Sequence, residues 1–353
     1  MQRLLELLQQ AMELGASDLH LTVGQAPAYR LDGELRLMNL PRLLPADTRE
    51  MLDEVTTPVQ REALRQQGDL EFALSLPGVG RFRVNVYQQR GSIAMACRLI
   101  PFQIPSIAQL GLPPVVEELT GRHQGLILVT GPTGSGKSST LAAMIDLINR
   151  RRAGHIMTLE DPIEFLHSHK LSIVNQREIG VDTPSYAAGV RSALHEDPDV
   201  LLVGEMRDLE TTAAALSAAE TGMLVMATLH TQGAAQTVNR ILDIFPPHQQ
   251  QQVRTQLALT LQAVISQQLV RRAQGPGRVL AAEVLIMTPA IRHLIREGKV
   301  QQIPSQLQTG SEVGMQTMEK ALQDLYQRGL ITQEQMNFYL PELGLINTLL
   351  GRA

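Results

Sequence analysis

The sequence predicts an α/β protein in which a small α+β module precedes a parallel-sheet core and a helical C-terminal region. Three observations predict it. Gly131-Pro132-Thr133-Gly134-Ser135-Gly136-Lys137-Ser138 fits G-x-x-x-x-G-K-[ST]. It lies between the apolar, β-branched run Leu126–Thr130 and a helical apolar stripe over 139–148, the strand–loop–helix context that a phosphate-binding loop needs. Apolar strands alternate with helical patterns over 121–288, which implies crossover units and a parallel sheet. Residues 1–100 carry short alternating strands with glycine-marked turns instead.

The bulk numbers suit two or three globular domains. The chain has 353 residues, 44% hydrophobic and 19% charged. A net charge of -4, 3% aromatics and no Trp argue against a general affinity for nucleic acid or anionic membrane. The single cysteine, Cys97, can form no internal disulfide, which fits a reducing cytoplasm, and its alternating context reads as a buried strand position. The first residues, Met1 to Met12, carry Leu4, Leu5, Leu7 and Leu8 but are broken by Glu6, so they read as an amphipathic helix and not a signal peptide. No apolar run approaches the ~18 residues of a membrane span, and no internal repeat is visible.

In chain order, 16–23 alternates polar and apolar residues, and 28–36 reads as a hairpin around Asp32-Gly33. Residues 48–67 read as helical, followed by strands over 69–76, 80–88 and 92–99. Prolines at 101, 105, 113 and 114 mark a linker over 101–120. The core strands are 126–130, 155–159, 200–204, 224–228 and 279–286. After Pro289 the pattern is helical over 290–297, 315–328 and 332–339.

The chemistry concentrates at strand ends. Gly131, Gly134 and Gly136 let the backbone wrap phosphates with its N–H groups inward, and the following helix N-terminus adds positive charge. Lys137 reaches the β- and γ-phosphates, the Ser138 hydroxyl suits Mg²⁺, and Ser139 completes the loop. Pro198 to Glu205 is an apolar strand ending in an acid, expected beside the loop strand, with Glu205 near the metal or the attacking water. Glu160, Asp161 and Glu164 follow another strand, at the edge where α/β ligands bind. A solvated proline turn is the plainer account of those acids. His230 ends a further strand and suits a γ-phosphate sensor, although a lone histidine there is more often structural. Arg81, Arg83, Arg90 and Arg98 punctuate a hairpin and read most simply as exposed-face residues.

Together these stretches resemble the secretion-type ATPases, and within them the PilT-type retraction motors of type IV pili. The likeness rests on Ala16-Ser17-Asp18-Leu19-His20, the acidic box over 158–165, a Walker B over 202–208 and the His box over 228–231. Ala290-Ile291-Arg292-His293-Leu294-Ile295-Arg296-Glu297 is similar to the retraction signature that extension motors lack. The resemblance implies a PAS-like domain over 1–100, a RecA-like P-loop core over 121–288 and a helical region over 289–353. As given, the sequence opens on the PAS-like domain, whereas extension motors carry a long further N-terminal domain.

It also implies ATP and Mg²⁺ as ligands, a homo-hexamer and a cytoplasmic place against the inner membrane. The expected partners there are a platform protein and a paralogous retraction ATPase. Nucleotide would sit between the two domains, with Arg83 and Arg98 near the phosphates and Arg81 and Arg90 after them. Glu164 or Glu160 would activate water, with Glu205 in the Mg²⁺ shell. Two departures stand out: Met223 where many retraction motors carry His, and His293 in place of Asn. A thioether exchanges no proton near neutral pH, so an accessory ring subunit of the pilus machinery is the alternative reading. A nucleic-acid translocase on the same core is disfavoured by the acidity.

Overall fold

The computed structural model describes residues 4–31, 33–76, 79–100 and 104–340. Two compact units are present: residues up to 103 together with 164–166, and residues 104–163 together with those from 167 onward.

The first unit contains α1 (Leu4–Glu13), β1 (Asp18–Leu21), β2 (Ala28–Leu31), β3 (Glu34–Leu37), α2 (Pro45–Val55), α3 (Pro58–Gln67), β4 (Asp69–Leu76), β5 (Gly80–Gln89) and β6 (Ser92–Ile100). Its six strands form an antiparallel sheet in the order β3-β2-β1-β6-β5-β4. Alternation puts Phe82, Val84 and Val86 of β5 and Met95 and Cys97 of β6 into one core with Leu4, Leu7 and Leu8 of α1. Burial pushes the Cys97 thiol up to about 12, so it is packing and not a nucleophile. Gly33 takes φ +86 in the β2–β3 turn, while Asp32 lies outside the described residues.

The helix expected over 48–67 is in fact two. Thr57 caps α3 by accepting from the Gln60 N–H, and Pro58 occupies its first turn. A proline disfavours helical geometry at the residue before it, and Thr56 and Thr57 are both extended, so α2 ends at Val55.

The second unit begins with α4 (Ile107–Leu110) and α5 (Val115–Leu119). Ile107, Leu112, Val116 and Leu119 are buried in the main core, so most of the segment expected as linker packs as structure. Pro101, Phe102 and Gln103 lie outside the described residues. Then follow β7 (Gly125–Thr130), α6 (Lys137–Arg151), β8 (His155–Glu160), β9 (Ile173–Glu178), α7 (Tyr186–Ala193), β10 (Val200–Val203), α8 (Leu209–Glu220), β11 (Leu224–Leu229), α9 (Ala234–Ile244), α10 (Pro247–Thr260), β12 (Leu261–Arg271) and β13 (Arg278–Ile286).

The sheet order is β13-β12-β7-β11-β10-β8-β9. All neighbours are parallel except β12 and β13, which form an antiparallel ribbon. The expectation of a wholly parallel sheet fails at that edge, because the connection after Arg271 is too short for a crossover. β9 and β12 were not read from the sequence. β9 is an edge strand with polar alternate positions, and Ser266-Gln267-Gln268 interrupts the apolar run of β12.

The helices that follow are α11 (Pro289–Arg296), α12 (Ile303–Thr309), α13 (Met318–Gln327) and α14 (Gln333–Tyr339). The helix expected from Met315 starts only at Met318, because Gln316 pairs with Val284 and Thr317 is the N-cap. Residues 341–353 of the expected helical region lie outside the described residues.

α11 is amphipathic. Ile291, Leu294 and Ile295 are buried, whereas Ala290, His293, Arg296 and Glu297 are exposed. Arg292 donates to the Ala258 and Leu259 carbonyls at 2.5 and 3.0 Å, at the C-terminus of α10. A cation there meets the negative end of the helix dipole. Arg292→Glu is therefore expected to destabilise the chain by about 1–3 kcal/mol, while Arg296→Glu leaves the midpoint unchanged. Thermal unfolding of the pair checks this, and equal midpoints would contradict the capping role.

A second stability prediction concerns His167. Burial pulls its imidazole down to about 4, with Asp146 opposing and Lys170 assisting. The folded pKa is depressed, so the folded chain keeps the ring neutral where the unfolded chain protonates it. Stability is full above about 6.5 and is lost as pH falls from there towards 4, about 2 kcal/mol by pH 5. His167→Gln should flatten that part of the midpoint–pH curve between pH 7 and 5.

Candidate functional site

The phosphate loop leaves β7 at Thr130 and enters α6 at Lys137. Its first glycine is required twice over. Gly131 sits at φ +138, and a Cβ there would stand 2.3 Å from the Gln267 carbonyl oxygen. Gly134 and Gly136 take φ +77 and +91, the turns that aim successive amides into the loop. Lys137 is buried, and its ammonium donates to the Gly131 and Pro132 carbonyls at 2.9 and 3.0 Å. Pro132, Ser138 and Ser139 are half-buried and Thr133 is exposed. Ser135 is buried, and its hydroxyl has no hydrogen-bond partner among the described residues. Gln267 braces the loop from β12: its amide donates to the Thr140 hydroxyl at 2.7 Å, one turn into α6.

The strand carrying Glu205 does not lie beside the loop strand, as the sequence reading expected. β11 lies between β7 and β10. That order gives His230 its neighbour. His230 follows β11 and Glu205 follows β10, and His230 Nε2 lies 3.0 Å from Glu205 Oε1. With a carboxylate as acceptor, that ring nitrogen carries the proton. Arg207 Nε meets the same oxygen at 2.5 Å. Burial alone pushes the Glu205 carboxyl up, but Arg207 and His230 outweigh it and hold the group below its ordinary value. The strand ends are tied together. The Thr228 hydroxyl donates to the Gly204 carbonyl, Met206 N–H to Thr228 O, and Gly204 N–H to Leu159 O.

Glu160 ends β8 on the same edge. It accepts from the Thr158 hydroxyl at 2.6 Å and the Gln176 amide at 3.0 Å. Glu164 is exposed and groups with the first unit.

Tyr186, which the sequence reading missed, opens α7 near these acids. A Cβ on Gly204 would stand 2.7 Å from its hydroxyl. Burial, and then Asp161, Glu205 and Glu160, raise its pKa well above the ordinary value, so it stays a neutral donor. A lone tyrosine at a helix start gives no sequence signal for this, and Arg207 and Gln267 were equally silent.

The structure thus brings the loop, Glu160, Glu205 and His230 to adjacent strand ends of one sheet. Three of the four candidate arginines of the first unit have partners of their own. Arg83 pairs with Glu71, Arg98 with Asp18 at 2.9 Å, and Arg81 donates to the Ser75 hydroxyl at 3.3 Å. Met223 is half-buried against the main core, where a thioether packs well.

A profile of the type II/IV secretion system protein family matches residues 1–337. The chain belongs to that family. One relative, the type IV pilus retraction ATPase PilT of Pseudomonas aeruginosa, is 48% identical over 93% of this chain and 95% of its own length. The type IV pilus ATPase PilU of the same bacterium is 40% identical over 93% of this chain and 86% of its own. A crystal structure of the pilus retraction motor PilT with bound ADP has a TM-score of 0.88 and 53% identity. It covers 95% of this chain and 96% of that one. The secretion system fold, an N-terminal domain followed by a RecA-like ATPase domain, is therefore the fold of this chain. Among the described residues, no helix is long and apolar enough to cross a membrane.

Proposed function

We propose that this chain is an ATP-hydrolysing motor that powers type IV pilus retraction and twitching motility. It works as a homo-hexamer at the cytoplasmic face of the inner membrane, against a platform protein. The observation that carries this is the joining of Lys137, Glu205 and His230 on neighbouring strand ends, in a chain alike to PilT over nearly its whole length.

Catalysis in this reading is positioning plus charge stabilisation of an in-line attack. Amides of the loop hold the phosphates, and the Lys137 ammonium exchanges its loop carbonyls for β- and γ-phosphate oxygens. Glu164, exposed and outside the hydrogen-bonded cluster, takes the proton of the attacking water, with Glu160 as the alternative base. His230 reads the γ-phosphate and passes its presence to Glu205 through their shared hydrogen bond.

The donors fit Mg²⁺. The Ser138 hydroxyl and the Glu205 carboxylate are hard oxygens, and Glu205 is held anionic. Among the described residues no cluster of three or more His, Cys, Asp or Glu could hold a metal by itself, which suits an ion arriving with its nucleotide. When bound, it neutralises charge on the phosphates. Arg83, Arg98 and Arg81 are proposed to approach nucleotide phosphates in the ring, trading Glu71, Asp18 and Ser75 for them. The exposed face of α11, with Ala290, His293, Arg296 and Glu297, is the proposed retraction-specific surface.

The accessory-subunit reading is kept by Met223. Phosphate release by the purified ring separates the two. Steady turnover supports the motor, whereas ATP binding without turnover supports the accessory subunit.

A further inference from the structure

The β12–β13 ribbon lays a line of side chains along the phosphate loop. Gln267 donates to Thr140, within the first turn of α6. Two residues on, Leu269 lies 3.7 Å from where a Cβ on Gly136 would stand. Side chains on one face of a strand recur every second residue, so the next on this face is Arg271. Its cross-strand partner is Arg278, whose guanidinium donates to the Gly134 carbonyl at 3.4 Å. The line thus runs from the helix past Gly136 to Gly134, towards the mouth of the loop.

Arg271 and Arg278 are both exposed, and neither has an ion pair among the described residues. Other arginines of this unit do meet carboxylates: Arg150 with Asp146, Arg152 with Asp199 and Arg177 with Glu196. Like charges directly opposite one another destabilise a ribbon. An uncompensated arginine pair beside a loop of inward amides is completed by an anion, and guanidinium forks match phosphoryl oxygens.

We propose that Arg271 and Arg278 form a second grip on the phosphates of the nucleoside di- or triphosphate held by the loop, supplied by the same chain. This rests on the nucleotide site proposed above. The pair carries no chemical step. It adds affinity, and it ties the ribbon that packs under α13 to nucleotide occupancy.

The test is calorimetric titration of the full chain with ATP and, separately, ADP. Arg278→Ala is expected to weaken both about tenfold, Arg271→Ala less, and the double variant more than either. Arg278→Lys recovers part of the loss, which separates lost charge from misfolding. Arg272→Ala, on the same turn but outside the ladder, should stay within about twofold of wild type. Unchanged affinity in the double variant, or an equal loss in Arg272→Ala, overturns the grip while the loop assignment stands. Failure of the wild type to bind ATP overturns the nucleotide site, and the grip with it.

Discussion

Lys137→Ala is expected to cut ATP turnover by about 100-fold or more. The ammonium is buried and bound to the Gly131 and Pro132 carbonyls, so it is already aimed inside the loop. No other lysine or arginine side chain among the described residues donates to those carbonyls. Alanine leaves the phosphates without a charge at the point where negative charge must be held in the transition state. The substitution also deprives two carbonyls of a charge-assisted donor, so stability falls by about 1–3 kcal/mol. Rates should therefore be compared well below the unfolding midpoint. Turnover equal to wild type would place hydrolysis elsewhere in the chain.

Glu205→Gln is expected to reduce turnover about 100-fold as well, but with ATP affinity largely kept. The substitution keeps the shape and removes the charge, leaving Arg207 and His230 facing a neutral amide. The loss should appear in kcat and not in KM. The wild-type carboxyl is held below its ordinary value. Its charge is thus complete above the usual carboxylate range and is lost only as pH falls through the lowered folded value. The acid limb of the rate profile should lie below the range of a free glutamate, and Glu205→Gln should remove that limb. A variant with unchanged kcat would detach Glu205 from the chemistry.

Much of this site was legible because its residues sit in rigid sequence contexts. The loop motif is contiguous, and Glu205 and His230 each follow a mostly apolar, buried strand, so their edge of the sheet follows from the alternation of strands and helices. What was illegible depends on strand order, which no local pattern encodes. The placing of β11 between β7 and β10 brings His230 to Glu205, and nothing in either stretch announces the neighbour. Tyr186 and Gln267 were missed for the same reason, since each acts through partners distant in sequence; Arg207 was missed because no local pattern shows its guanidinium turning back to Glu205, two residues before it.

The fold shows the same division. Short strands around glycine turns in the first unit were read closely, because period-two alternation is local. β12 was missed because one of its glutamines, Gln267, faces a buried hydroxyl on α6, a tertiary reason for a polar residue in a core strand. The signature over 290–297 gained internal structure. Three of its residues are core and Arg292 is a helix cap, so only its exposed face remains for a partner.

The most direct test of the central claim is deletion of this chain in its own organism, scored for surface pili and twitching and complemented with wild type or Lys137→Ala. A retraction motor predicts excess surface pili with lost twitching, restored by the wild type and not by Lys137→Ala. Cells without pili, or cells indistinguishable from the parent, would contradict it.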